Sequence, residues 1–307
     1  MLVILNKKAA GGAALRKWRL VNSRLNIKAG QVHYANGNGD TQEFLLDALN
    51  KGKTDFIIAG GDGTINNFLN NLVQLTEPDL IKKIRIGAIG IGSSNDFHKP
   101  FNNKYMIGNV AARINFKEAL PRDVGCITYT INNRTYKRLF LINSSIGITA
   151  EANYRFNNPD PLLSALKFFN TSAAINYTAI STMLTYKNFP AEICTNEADK
   201  FTVNVTNIGI LKSPYFSGDL KYNSTVKPDD GLFDIRLYYD FNKYNLIKLF
   251  NSLSGNNNYH SNEKSWMTDS FSITSKKEFK IEFDGEVVSA NSAHFKVLPK
   301  FIKVCNN

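Results

Sequence analysis

The sequence predicts two domains: an N-terminal α/β domain built on a parallel sheet, then a C-terminal antiparallel β-sandwich. Three observations predict this. Up to Pro121, short apolar runs alternate with segments of helical period. After Pro121, short segments of period-two alternation follow one another between turn residues. The 307 residues, 43% hydrophobic and 21% charged, suit two folded domains with ample core.

In order, "MLVIL" reads as a buried strand, and "ALRKWRLVNSRL" as a helix after Gly11-Gly12. "KAGQVHYAN" is a second strand. "GDTQEFLLDALN" is a helix capped by Asp40 or Thr41, with Phe44, Leu45, Ala48 and Leu49 on one face. "DFIIAG" is the third strand. Ile65, Phe68, Leu69, Leu72 and Leu75 then fall at helical spacing, and "IRIGAIGIG" is the fourth strand. The first domain spans 1–122 and the second 123–295, and the tail at about 296–307 can close either. The β segments include "DVGCITYTINNRTYKRLFLINSSIGI", "FTVNVTNIGIL", "GLFDIRLYY" and "FKIEFDGEVV". A helical insertion at about 161–187 interrupts them. Its apolar residues, among them Leu162, Leu163, Leu166, Phe168, Phe169, Ile175, Ile180, Met183 and Leu184, are expected mainly in the core, with an acyl-lining groove as the alternative.

Composition removes several function classes. No run approaches the roughly 20 apolar residues of a membrane span, and the start lacks a signal-peptide pattern. Cys126, Cys194 and Cys305 are far apart, and the four histidines are scattered, which argues against disulfides and zinc and for a cytoplasmic protein. A net charge of +11 fits an anionic membrane surface or phosphorylated substrates. No dense basic run with interleaved aromatics marks a nucleic-acid face, so no nucleic-acid partner is expected.

The chemistry concentrates in two loops. "FIIAGGDGTINN" runs a strand into Gly60-Gly61-Asp62-Gly63-Thr64. Backbone N–H groups at such a strand-to-helix turn favour a phosphate. It is not a Walker loop, because no Lys follows the glycines; "GKT" at Gly52–Thr54 is a decoy whose first glycine position holds Asp47. A carboxylate beside a phosphate costs roughly 4 kcal/mol at intermediate dielectric. Asp62 therefore calls for a bridging Mg²⁺, a role as proton acceptor from a hydroxyl, or a helix-capping role. The second loop, "IGIGSSNDF", presents Gly92, Ser93, Ser94 and Asn95 after another strand. In an open parallel sheet ligands bind at that edge, and two such loops suggest a nucleotide.

"GGDGTINN", "GIGSSNDF", "RDVG", "PDDGLFDI" and "FDGE" occur in the order seen in bacterial diacylglycerol-kinase-like lipid kinases, and the chain resembles that family from Asn6 to Glu286. The family shares its catalytic domain with sphingosine and ceramide kinases and, more remotely, with NAD kinases and phosphofructokinases. The resemblance implies an ATP site at Asn6, Gly60, Gly61, Asp62, Gly63, Thr64, Gly92, Ser93, Ser94 and Asn95. It implies Mg²⁺ at Asp230, communicating with Asp123 and Asp62. Asp284, with Glu286 beside it, corresponds to the proposed general base; Asp62 competes for that role, and Asp284 is favoured. The bare sequence reads "DDG" and "DG" equally well as turns.

The implied activity is transfer of the γ-phosphate of ATP to a hydroxyl of diacylglycerol or a related lipid, by an enzyme bound peripherally to the membrane. A sphingoid base or NAD is the alternative acceptor, and a non-catalytic nucleotide- or lipid-binding protein is the alternative class. A homodimer is compatible with the sequence. The chain departs from the family at Lys7 (usually Pro), Asn67 (usually Glu), Ser94 (usually Gly) and the triplet Ser217-Gly218-Asp219 (usually glycine-rich).

Overall fold

A computed structural model of the chain describes all residues except 36, 37, 197, 198, 219, 254–260 and 307. The chain divides into two compact units. Unit 1 comprises Met1–Val124, Tyr215–Gly218 and Leu298–Asn307; unit 2 comprises Gly125–Pro214 and Asp219–Val297. The sequence reading placed the boundary near 122 and left 215–218 in the second domain.

Unit 1 begins with β1 (Leu2–Leu5), α1 (Ala14–Leu25), β2 (Val32–Tyr34), α2 (Asn38–Asn50) and β3 (Asp55–Gly60). It continues with α3 (Asp62–Leu75), α4 (Pro78–Ile81), β4 (Arg85–Gly90), β5 (Met106–Ile107), β6 (Val110–Arg113) and the start of β7 (Ala119–Ile131). β1 pairs in parallel with β2 and β3, and β3 with β4. β1, β3 and β4 are nearly continuous apolar runs, as fits strands buried in a parallel sheet. Trp18 and Val21 of α1 join Val3, Leu5, Ile57 and Ile89 in one core cluster. On α3, Ile65, Phe68, Leu69 and Leu72 are buried at the predicted spacing.

The sheet is not purely parallel, which corrects the expectation. β5 and β6 form a hairpin, and β6 lies antiparallel on β4 through Ala88↔Arg113 and Ile89↔Ala112. Two segments thus share the outer edge of β4. The C-terminal tail holds the other part, with Lys303 and Val304 parallel to Arg85 and Ile86. The parallel strands end together: the Asn6 amide donates to the Ala59 carbonyl, and those of Ile91 and Gly92 donate to Gly60. Both glycine loops therefore leave the sheet at one edge.

Unit 2 contains most of β7, β8 (Arg134–Phe140), β9 (Asn143–Gly147), α5 (Ile148–Asn157), α6 (Pro161–Phe169) and α7 (Thr171–Thr185). Then follow β10 (Phe189–Asn196) and β11 (Asp199–Leu211). After β12 (Tyr215–Phe216), which belongs to unit 1, and β13 (Leu220–Lys221) come β14 (Phe233–Tyr239), α8 (Lys243–Leu253), β15 (Glu263–Thr268), β16 (Ser270–Phe283) and β17 (Glu286–Cys305), which belongs to unit 1 from Leu298 on. α5 and α8 were not foreseen. β16 pairs antiparallel with β10 at one end and β9 at the other. The order runs β15-β14-β11, then β10 or β9, then β16-β17-β7-β8.

Phe140 of β8 nonetheless stacks on Phe233 of β14, with ring centroids 5.7 Å apart. Strands from opposite ends of the order thus meet face to face, so the sheet folds over itself into a sandwich-like layer pair. Gly125, opposite Phe140 in the β7–β8 ladder, leaves room for that ring, which any Cβ there would strike. Phe140 also meets Phe295 edge-on at 6.5 Å. Phe140→Ala is expected to lower stability by about 3–5 kcal/mol, read by urea denaturation; a loss under about 1 kcal/mol would count against this ring as the clasp between layers.

Candidate active site

In unit 1 the two loops are in backbone contact. A Cβ on Gly92 would fall on the Cα of Gly61, and a Cβ on Gly60 would collide with the Thr64 side chain. Glycine is required at these positions for close approach rather than for φ freedom. Asn95 adopts φ 52° and closes the second loop on itself: its Oδ1 accepts from Gly92 N (2.9 Å) and its Nδ2 donates to Gly92 O (3.1 Å). Asn6 Nδ2 donates to Thr64 Oγ1 at 3.1 Å, joining the β1 loop to the first turn of α3.

Asp62 joins the two glycine loops. Its Oδ2 accepts from Asp96 N and its Oδ1 from Phe97 N, both at 3.0 Å. Of the three roles the sequence left open, the capping role is the one visible, but on another element. α3 begins at Asp62 without a side-chain cap, and the carboxylate instead holds the amides of the turn at Asp96–His98. Two guanidinium groups approach the Phe97 ring, Arg113 at 5.1 Å and Arg122 at 5.2 Å from its centroid. Burial and the charge of Arg113 push the neighbouring His98 imidazole down to about 3. Asp96 is raised by burial, an effect partly opposed by its 2.8 Å ion pair with Lys99.

In unit 2, Asp284 and Gly285 form the hairpin turn between β16 and β17, with φ of 46° and 94°. The Asp284 carboxylate is buried and accepts from the backbone amides of Leu141 (2.7 Å), Ile142 (2.9 Å) and Asn143 (3.1 Å). Asn143 Oδ1 in turn accepts from the amides of Lys212 and Ser213, each at 3.1 Å. The Lys212 ammonium, at 0% side-chain exposure, donates to Asp230 Oδ1 at 2.9 Å and to Leu232 O at 2.8 Å. Burial pushes the Asp230 carboxyl up, but hydrogen bonds from Lys212 and Leu232 hold it below its ordinary value. Glu286 is exposed just past the turn.

The carboxylates expected to hold Mg²⁺ are each engaged by protein groups. Lys212 already supplies the positive charge beside Asp230. Both oxygens of Asp62 hold backbone amides, and Asp123, fully buried, accepts from Lys300 N at 2.8 Å. Among the described residues no group of three or more His, Cys, Asp or Glu side chains could hold a metal ion. Asp62 and Asp123 fall in unit 1, and Asp230 and Asp284 in unit 2. Asp219 of the departing triplet lies outside the described residues.

Two lysines escaped the sequence reading. Lys212 carried no motif, and only its place inside the apolar run "NIGILK" could have drawn attention. Lys17 of α1 donates to Gly92 O at 3.0 Å. Desolvation and the charge of Arg16 lower it below the ordinary lysine value. It brings to the loops a cation that a Walker sequence would carry after its glycines.

Two family models cover most of the chain. The diacylglycerol kinase catalytic domain matches residues 1–127, and the YegS C-terminal NAD kinase beta sandwich-like domain matches residues 144–306, more than half of the chain. The chain belongs to the YegS-type, diacylglycerol-kinase-like lipid kinase family. The catalytic-domain match makes this lipid-kinase relative an enzyme of the phosphotransferase class. Its relatives include "Probable lipid kinase YegS-like" of Shewanella frigidimarina, 22% identical over 98% of this chain and 92% of that protein. "Probable lipid kinase YegS" of Salmonella heidelberg is 26% identical over 97% and 93%. A diacylglycerol kinase structure from Bacillus anthracis str. Sterne shares the fold, with a TM-score of 0.67 at 18% identity, covering 100% of this chain and 96% of that one. In this YegS-type chain both glycine loops fall within the catalytic-domain match.

Two outcomes are expected. Asp62→Ala removes the acceptor for two amides, so it should cost about 2–3 kcal/mol of stability, read by denaturation. His98 has a folded pKa far below the 6.5 of the free side chain. The unfolded chain therefore binds more protons in that interval, and stability should fall as pH drops from about 6.5 toward 3. His98→Gln should flatten this slope in denaturation curves collected across that range.

Proposed function

We propose that the chain is an ATP-dependent lipid kinase that transfers the γ-phosphate to a hydroxyl of diacylglycerol or a related lipid. The observation that carries this reading is the pair of glycine loops at the carboxyl edge of the parallel strands, in backbone contact at Gly61 and Gly92. The first loop leads into the N-terminus of α3, where the helix dipole adds positive potential. Gly60, Gly61 and Gly63 keep side chains away from a phosphate. Thr64, Ser93, Ser94 and Asn95 supply short polar groups around it, and Lys17 adds charge.

Mg²⁺ enters on this reading as part of the substrate MgATP, neutralising the phosphates. Phosphoryl transfer rests on positioning and charge neutralisation. Asp62 acts as a positioning residue, because its carboxylate holds the second loop in place. Asp284 is the proposed base for the lipid hydroxyl through Oδ2, which accepts from Leu141 N where Oδ1 accepts from two amides, with Glu286 beside it. A base must reach the hydroxyl's proton, and only one carboxylate is needed. The lipid-kinase names of the relatives support a lipid acceptor.

The test is transfer of labelled γ-phosphate from ATP to mixed micelles holding diacylglycerol, monoacylglycerol, sphingosine or ceramide, and separately to NAD, with and without Mg²⁺. The expected result is Mg²⁺-dependent labelling of one lipid, lowered at least about 100-fold in Asp284→Asn with ATP affinity preserved. Labelling of NAD, or of no acceptor despite tight ATP binding, would overturn the lipid-kinase reading.

A further inference from the structure

The helical insertion departs most from its sequence expectation. Its residues were expected mainly in the core, and Leu163 is buried there. Phe168 and Phe169, however, are 84% and 81% exposed, Leu184 71%, and Leu162 and Ile180 55% each. α7 is inverted relative to a water-facing helix: it buries Ala174, Thr178 and Thr182 and exposes Ile180 and Leu184, one turn apart.

The exposed rings are presented on a built corner. Asn170 alone separates α6 from α7, and its Oδ1 accepts from Ala173 N at 3.0 Å. Asp160 caps α6 through Leu163 N at 2.7 Å and also takes the Tyr177 hydroxyl of α7 at 3.2 Å, pinning the two helices. The Phe168 and Phe169 rings meet edge-to-face at 5.1 Å. At the far end of α7, the Lys243 ammonium of α8 donates to the carbonyls of Met183 (2.7 Å) and Tyr186 (2.8 Å). Tyr244 and Ile247 of α8 are exposed as well.

Charge selects the partner. Residues 161–187 contain no Asp or Glu, and neither does α8. Lys167, Lys187, Lys243 and Lys248 are their charged residues. Exposed aromatic and aliphatic side chains on acid-free, lysine-bearing helices match the boundary between headgroups and acyl chains of an anionic bilayer. Water is a poor partner for such a patch, and an acidic protein surface would match the lysines without using the rings.

We propose that the α6–α7 corner is the membrane-docking surface of this protein. Phe168 and Phe169 insert at the headgroup–acyl boundary of an anionic leaflet, Ile180 and Leu184 lie along it, and the exposed Lys187 and Lys248 face the phosphates. This deepens the lipid-kinase reading on which it rests, by naming the element that meets the bilayer.

The test is co-sedimentation of the full chain with vesicles of phosphatidylcholine alone and of phosphatidylcholine mixed with phosphatidylglycerol, neither containing a phosphate acceptor. Wild type should bind the mixed vesicles more tightly, and more weakly as salt rises. Phe168→Ser/Phe169→Ser should lose about 100-fold in affinity, about tenfold per ring, while Phe168→Leu/Phe169→Leu keeps most of it. Phosphorylation of a short-chain, water-soluble acceptor should be unchanged in both variants. Failure of wild type to bind mixed vesicles, or equal binding by the serine variant, would overturn the docking surface. So would a wild-type dimer that the serine pair converts to monomer in sedimentation velocity, since a second copy would then cover the rings. Vesicle binding without phosphorylation of any acceptor would leave the docking surface standing and remove the kinase reading.

Discussion

The geometry of the two glycine loops depends on one carboxylate and the amides it holds. Asp62 accepts from Asp96 N and Phe97 N, so the first loop grips the backbone of the second. That grip is compatible only with glycine at the point of contact, because a Cβ on Gly92 would overlap Gly61. The charge of Asp62 also finds a use: two amide dipoles receive it within a helix N-terminal region where a negative group is favoured. A carboxylate in the middle of a phosphate-type loop is then part of the scaffold.

Unit 2 uses the same device at longer range. Asp284 gathers the amides of Leu141, Ile142 and Asn143 from about 140 residues earlier in the chain. Asn143 carries the connection on to Lys212, and Lys212 to Asp230. An interior lysine is tolerated only with its charge matched and its N–H groups accepted. Here Asp230 and the Leu232 carbonyl do both. The "DDG" and "DGE" motifs are thus two ends of one buried polar network.

Much of the fold was legible from periodicity. The four parallel strands, the core face of α3 and the antiparallel second unit follow from apolar runs, helical spacing and period-two alternation. The β5–β6 hairpin was not, because its strands are only two and four residues long and carry no pattern. α5 and α8 were missed beside stronger strand signals. The α6–α7 corner was misjudged for a different reason. An apolar residue in a helical segment is a statement about what it avoids, and water can be avoided in a core or in a bilayer. Burial of Thr178 and Thr182 beside exposed Ile180 and Leu184 places the latter two outside the core.

By itself the sequence determined the strand-then-glycine loops, their order, the motif set that marks a YegS-type lipid kinase and the lack of acidic residues in the helical insertion. These are local or additive properties, readable without knowing what touches what. The tertiary structure alone decided which atoms the carboxylates hold. It turned Asp62 from a capping candidate on its own helix into the tie between two loops. It placed an ammonium against Asp230 where a metal ion was expected. Both outcomes depend on pairs more than 15 residues apart, 34 for Asp62–Asp96 and 18 for Lys212–Asp230. Spacing within a single helix or strand carries no trace of such pairs, since only the folded chain brings their partners within hydrogen-bond reach.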